Sequence, residues 1–509
     1  MKEKIIIIGG GYGGLLCGAI LSKEGYHVKI LEKHYVYGGG LHMFGWKGLQ
    51  FETGMHIISG FEPNGVLRKF YTYLGIFDRL NIRPADNESF DLFHLAVDGR
   101  KYLLAKGREA FIRSLARYFP DEEANIRRYV NKIYEICDSI ALFNLRFSNN
   151  SFYDHSDIMS ISAGDFIASF TKNKKLQAVL AWNNSLYAGV KDGTPAYIAI
   201  MISKFYIEGS GRFVGGSKQL ADALATMIRE GGGEIITGDG VEWIDIHDKQ
   251  IRHVKTASGN IFTADRYISS IHPSMLFRIM DTRKIQRSYY QRIDNIPNSY
   301  SVFNTFIKFK PKSFRYFNYN YYYQEDYDTT WKYTDYTDEN WPQAGMFITP
   351  PETGHDEWAN KMIVNCVMKF ETVKQWENTT VGRRGESYKA FKKRCEGKVL
   401  DMLEKIYPGF HSTVDDVISS TPLTIRDYLN VKEGAAYGTI KDCRNPAASH
   451  ISVHTKLSNL LFTGQNLNLH GILGVALTAI STCGELVGME NLINKIHHCT
   501  PNSHTDNNA

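Results

Sequence analysis

"IIIIGGGYGG", residues 5–14, is the stretch whose reading decides the fold. Four β-branched apolar residues in succession suit a short strand buried on both faces of a parallel sheet. The glycines that follow, Gly9, Gly11 and Gly14, have the spacing G-x-G-x-x-G. "LLCGAILSKEG" (15–25) then carries apolar residues at helical spacing and ends at Gly25, a residue suited to a helix C-terminus. "YHVKILE" (26–32) reads as a second strand closing on the acid Glu32.

Strand, glycine turn, helix, strand and acid, in that order, make a dinucleotide-binding unit. Gly9 permits the tight turn, Gly11 lets the backbone approach a pyrophosphate, and Gly14 lets the helix pack close to the strand. The helix N-terminus offers free N–H groups and the positive end of its dipole to the phosphates. Glu32 accepts hydrogen bonds from a ribose 2′-hydroxyl and repels a 2′-phosphate, so the unit favours FAD or NAD over NADP.

The rest of the chain sets bounds. A length of 509 residues calls for two or more domains or one elaborated domain. The chain is 43% hydrophobic and 22% charged, a globular composition. A net charge of +5, spread over 59 cationic and 54 anionic side chains, does not point to nucleic acid. The longest later apolar run, "AYIAIMI" (196–202), falls far short of the roughly 20 residues of a spanning helix, so none is expected. "MKEK" followed by four isoleucines and glycines is not a signal peptide. The seven cysteines are scattered without C-x-x-C pairs, which predicts reduced thiols, no zinc site and no disulfide framework. A cytoplasmic protein is expected, with peripheral membrane contact if its substrate is a lipid.

Downstream of Glu32 the sequence reads "KHYVYGGGLHMFGWKGLQFETGMHIISG" (33–60). An NAD-binding domain would continue into another helix and strand. The cluster Gly38–Gly40 instead brings backbone toward a second part of a long, extended cofactor. Here the sequence resembles the FAD-dependent amine oxidase and phytoene desaturase superfamily, in which a glycine turn after the acid and an F-(D/E)-x-G-x-(H/T) stretch recur.

Two later blocks strengthen the resemblance. "VGGSKQLADALATMIREGGGEIITGDG" (214–240) reads as a glycine turn, an amphipathic helix with Leu220, Leu224, Met227 and Ile228 on one face, and the start of a group of strands. "LLFTGQNLNLHGILG" (460–474) reads as a short strand, a polar turn and a glycine-rich helix start. The family often has Gly-(Gln/Asp)-Asp where this chain has Gly464, Gln465 and Asn466, so the amide of Asn466 replaces a charge. A helix beginning near Ile472 would aim its positive end at the flavin.

The resemblance implies an α/β fold: a Rossmann-like FAD-binding domain of the glutathione-reductase type with an interleaved α+β substrate domain. Residues 1–64, 210–275 and 436–495 would form the first, 65–209 and 276–435 the second, and 496–509 a polar tail. It implies cofactor contacts from Gly9, Gly11, Tyr12, Gly13, Gly14, Glu32, Lys33, Gly39, Gly40 and Leu41 in the first block. Val241 would meet the adenine, and Gly464, Gln465, Asn466, Gly474 and Val475 would complete the site. Helices are expected across 108–140. The stretch 314–341, with a dozen aromatics, reads mostly as exposed tyrosines on strands and hairpin loops, with an aromatic-lined channel as the other reading.

Within the superfamily the phytoene desaturase, carotenoid isomerase and all-trans-retinol 13,14-reductase (retinol saturase) branch is the nearest likeness. It implies hydride transfer between flavin and a C=C or CH–CH unit of an apolar isoprenoid, polyene or retinoid-like lipid, reduction being favoured over desaturation. With no second complete nucleotide unit, NAD(P)H or a quinone would act only as a transient electron partner. His56 and His470 are the candidates for proton delivery or substrate orientation, and Glu52 either contacts the ribose or faces solvent from a strand. A non-redox escort protein of the same fold and an amine oxidase are the competing readings.

Overall fold

The computed structural model describes residues 2–148, 156–354 and 357–499. Its centre is a five-stranded sheet in which every pairing is parallel, in the order Glu234–Ile236, His27–Leu31, Lys4–Ile8, Arg266–Ser269, Leu460–Phe462. Ile5 to Ile8 are all buried because both faces of this sheet are covered. Ile5 and Ile7 face the helices Tyr12–Lys23, Lys218–Glu230 and Gly471–Val487, whereas Ile6 and Ile8 face an antiparallel meander of strands Val241–His247, Gln250–Thr256 and Ile261–Phe262. The sheet thus gathers strands from the beginning, middle and end of the chain.

A second sheet has seven strands, in the order Val414–Ser420, Ser301–Phe309, Lys361–Met368, Ala344–Ile348, Asn320–Gln324, Asp91–Leu95, Arg100–Leu104. One face packs Phe303, Val364, Cys366 and Phe347 against the helix Glu386–Ile406. The other face carries Tyr322 and Met346 into the large core shared with the helices of residues 108–207. Helices occupy Arg108–Ala116 and Glu123–Ser139, as the periodicity predicts.

Two expectations need correction. All five residues of Asn320–Gln324 are buried, so this part of the tyrosine-rich stretch is an interior strand of the second sheet. The polar tail does not begin at 496: the helix Met489–His497 runs through it and Ile496 is fully buried. The remainder of that tail, 500–509, lies outside the described residues. The run 196–202 belongs to the buried helix Ala196–Ile207. Among the described residues no helix is long and apolar enough to cross a membrane, and no group of three metal-ligating side chains is assembled. None of the cysteines is paired.

Candidate functional site

One cavity of about 510 Å³ runs from the glycine turn of the first sheet to the inner face of the second. That volume lies within the usual range for a small-molecule or cofactor site. Its floor is built locally. Gly9 has φ +99°, which lets the chain turn away from the strand directly into the helix Tyr12–Lys23. Gly38 N–H donates to the Gly10 carbonyl at 2.8 Å, so the second glycine turn is laid against the first. A Cβ on Gly39 would meet the Gly11 Cα at 3.0 Å, whereas one on Gly40 would meet nothing within 4 Å.

Glu32 ends its strand with both carboxylate oxygens engaged: Oε2 accepts from Gly10 N–H at 2.6 Å and Oε1 from His34 N–H at 2.7 Å. Burial raises its pKa, against the lowering effect of those two amides. The first and last blocks of the chain meet at Gly13, where a Cβ would stand 3.2 Å from Gly464 Cα and 3.3 Å from Val475 Cγ1. Tyr12 crosses the same junction. Its Oη lies 2.5 Å from Tyr71 Oη and donates to the Ile472 carbonyl at 3.3 Å, fixing the start of the C-terminal helix.

Asn466 is turned inward to hold its own loop. Its Oδ1 accepts from Thr439 N–H at 3.2 Å, and its carbonyl accepts from Lys441 Nζ at 2.7 Å. Among the described residues Lys441 has no anion as a hydrogen-bond partner, and burial pushes its ammonium down to about 7.

Of the residues expected to meet the cofactor, Gly9, Gly11, Tyr12, Gly13, Glu32, Lys33, Gly39, Gly40, Leu41, Val241, Gly464, Gln465, Asn466 and Val475 line the cavity. Gly14 and Gly474 do not: a Cβ on either would strike backbone, the Gly9 oxygen at 2.1 Å and the Leu469 carbonyl carbon at 2.3 Å, so these are packing glycines. His56 lines the cavity and is buried, with Nδ1 3.5 Å from Glu52 Oε2. Glu52 is itself buried and so does not face solvent. His470 stands behind the wall, its ring 4.9 Å from that of the lining Tyr437. Burial lowers His470 to about 4, so it is a neutral imidazole near pH 7.

Sequence reasoning missed the roof. Tyr322, Met346, Asn365 and Asn304 face the cavity from four adjacent strands, in one row set by the pairings Tyr322–Met346, Met346–Asn365 and Asn365–Asn304. Asn304 and Asn365 sit in "SVFNTFIKF" and "KMIVNCVM", strands that also carry Ser301, Thr305, Lys308 and Lys361, so no local signal set the two amides apart.

Two helix N-termini and two glycine turns open on one space that the Glu32 carboxylate also lines, and among the described residues a Cβ on Gly40 would meet nothing within 4 Å. These residues fit FAD, and the class they define is the FAD-dependent oxidoreductases. The chain belongs to the family of flavin-containing amine oxidoreductases, whose model matches residues 12–487. It is 24% identical to all-trans-retinol 13,14-reductase of Danio rerio over 96% of this chain and 86% of that one. Identity to prolycopene isomerase 1 of an Oncidium hybrid cultivar is also 24%, over 85% of this chain and 74% of the relative. The crystal structure of an oxidoreductase from Methanosarcina mazei has the same fold, with a TM-score of 0.65, 18% identity and coverage of 94% and 99% of the two chains.

Proposed function

We propose that this oxidoreductase transfers hydride to a C=C unit of an apolar polyene or isoprenoid lipid, with FAD as the resident cofactor. The observation that carries the reading is the continuity of the cavity. The space between the glycine turns opens directly beneath Val302, Val367, Met346 and Tyr322 of the second sheet. An extended apolar chain held against that roof would lie over the end of the cofactor nearest Gly464 and Ile472. Bound there, FAD supplies the hydride donor or acceptor. The protein's part is to bind, orient and keep out water.

Gly11, Gly39 and Gly40 would receive the pyrophosphate, Glu32 the ribose, and Val241 the adenine. The start of Gly471–Val487 would face the flavin ring with its positive end. His56, buried beside Glu52 and lining the cavity, would hold or deliver a proton at the substrate. Reduction is favoured by the likeness to the retinol reductase. The likeness to an isomerase favours a second outcome at the same site, bond rearrangement with no net redox change. NAD(P)H or a quinone would serve as a transient electron partner, and an intracellular protein touching the membrane peripherally suits such a substrate.

The test is anaerobic. Flavin in the purified holoprotein is reduced with dithionite, and all-trans-retinol, prolycopene and short enones are added in turn. Reoxidation by a polyene with appearance of its dihydro product is expected. Reduction of the oxidised flavin by saturated lipids alone would reverse the direction, and reduction by amines alone would defeat the reading.

A further inference from the structure

We propose that Glu52 is a positioning residue: its carboxylate holds the His56 imidazole with Nδ1–H turned toward it, so that Nε2 is the nitrogen presented to the cavity. This rests on the reading of His56 as the proton-bearing side chain and deepens it. Glu52 ends the strand Leu49–Glu52, and His56 lies in the short connection from there to Ile58–Ser59. The backbone pins both ends of that connection. Thr53 N–H donates to the His42 carbonyl at 3.1 Å, and Ile58 pairs with Gly211 of the strand Ser210–Phe213. The ring itself is held by Glu52, whose Oε2 lies 3.5 Å from Nδ1, and both side chains are buried. Among the described residues His56 is the one hydrogen-bond partner of that carboxylate. His56 lines the cavity and Glu52 does not, so Glu52 acts on a bound ligand through the ring.

An ionised carboxylate only accepts, so the ring nitrogen that faces it carries a proton. Nε2 is then free to take up a proton from the cavity side or to hand one over, and the ring need not turn. The charge on Glu52 has its own support. Arg212, the neighbour of Gly211, is 2% exposed. Its Nη2 donates to the Tyr319 carbonyl at 2.8 Å and to Asn320 Oδ1 at 2.6 Å, whereas Nε and Nη1 have no hydrogen-bond partner. A guanidinium keeps its charge even when buried, and a buried charge needs a compensating one. The carboxylates that interact electrostatically with it are Glu52 and Asp91. Burial pushes Asp91 up to about 7, so below that pH Asp91 is neutral and Glu52 balances Arg212.

The experiment takes two readings on the FAD-loaded protein. The first is the ring tautomer, from proton–nitrogen NMR of protein labelled with 15N-histidine, the signal missing from His56→Gln being that of His56. A proton on Nδ1 is expected in the wild type, and its partial transfer to Nε2 in Glu52→Leu. The second is anaerobic reoxidation of the dithionite-reduced flavin by all-trans-retinol. Glu52→Gln and Glu52→Leu should lower the limiting rate about tenfold or more, with the half-saturating concentration held within about twofold. In the His56→Gln background the same two substitutions should change the rate by less than about threefold, because a residue that acts through the ring has nothing left to position. An unchanged flavin spectrum and melting temperature show that each variant is folded, and Glu52→Gln keeps the side-chain volume where Glu52→Leu does not. A wild-type proton on Nε2 alone, an unaltered tautomer in Glu52→Leu, or a slowing by Glu52→Gln that persists in full beside His56→Gln overturns the inference and leaves the polyene reading standing. Failure of all-trans-retinol and prolycopene to reoxidise the wild type overturns the polyene reading, and the tautomer then decides the role of Glu52 by itself.

Discussion

A Cβ placed on Gly14 would stand 2.1 Å from the carbonyl oxygen of Gly9, closer than any non-bonded contact allows. The same oxygen accepts a hydrogen bond from Ser270 Oγ at 2.8 Å, so strand, helix and the neighbouring strand are locked around one atom. Gly14→Ala must therefore push the helix Tyr12–Lys23 off the sheet. A destabilisation of about 1–3 kcal/mol and loss of bound FAD on purification are expected. Gly40→Ala is the control, because nothing lies within 4 Å of its Cβ position. It should melt with the wild type, any loss being confined to FAD affinity. A Gly14→Ala protein that retains FAD and full stability would show the contact to be unimportant.

The second prediction concerns Asp91, fully buried, whose carboxylate accepts from Trp182 Nε1 at 2.8 Å and from Asn320 Nδ2 at 2.6 Å. Burial pushes it up to about 7, against those two donors and the nearby Arg212. The folded chain therefore keeps a proton that the unfolded chain releases from about 3.8 upward. The stability this group contributes is complete below that value and is lost as pH rises through about 7. Asp91→Asn, which never ionises, should gain on the wild type as pH rises across this window. Denaturant unfolding near pH 4 and near pH 8 checks it, and a wild-type-to-variant difference that is flat in pH would contradict it.

What the sequence disclosed follows the range of the interactions. The nucleotide unit was legible because strand, glycine turn, helix and acid are neighbours along the chain, and each glycine has a local reason. The interior position of Asn320–Gln324 was not, because alternation of buried and exposed residues marks only a half-exposed strand, and all five residues here are covered. Tyr322 and Asn365 become neighbours only through the register of two strands with Ala344–Ile348, which no local pattern encodes. His470 shows the opposite failure. Its sequence neighbours reach the cavity, but its ring lies behind the wall, against Tyr437.

The two histidines should accordingly separate in kinetics. His56→Gln should retain FAD and slow flavin reoxidation by a polyene about 10²-fold or more, the usual scale of a lost proton donor. His470, held at about 4 by burial, is a neutral imidazole near pH 7 and has no imidazolium proton to give. His470→Gln should stay within about threefold of the wild type, with an unchanged pH–rate profile. Reversal of the two effects would move the proton donor to His470.

Lys441 gives the last prediction. Its Nζ donates to the carbonyls of Asn466 at 2.7 Å and Ser449 at 3.2 Å and to Thr439 Oγ1 at 3.1 Å, so one buried amine holds the turn that reaches the cofactor cavity. Burial lowers it from 10.5 to about 7, and between those values the unfolded chain is protonated while the folded chain is not. The unfolded state then binds more protons, so the cost of this group is complete below about 7 and is relieved as pH rises toward 10.5. Relative to Lys441→Met, the wild type should gain stability across that window. The same substitution removes the donor to the Asn466 carbonyl and should weaken FAD binding by about tenfold. Thermal melts of both proteins near pH 6 and near pH 9, with FAD titrations of the apoproteins, read the two effects separately. Parallel melting curves would show that Lys441 keeps its proton through folding, and unchanged FAD affinity would show that the turn stands without it.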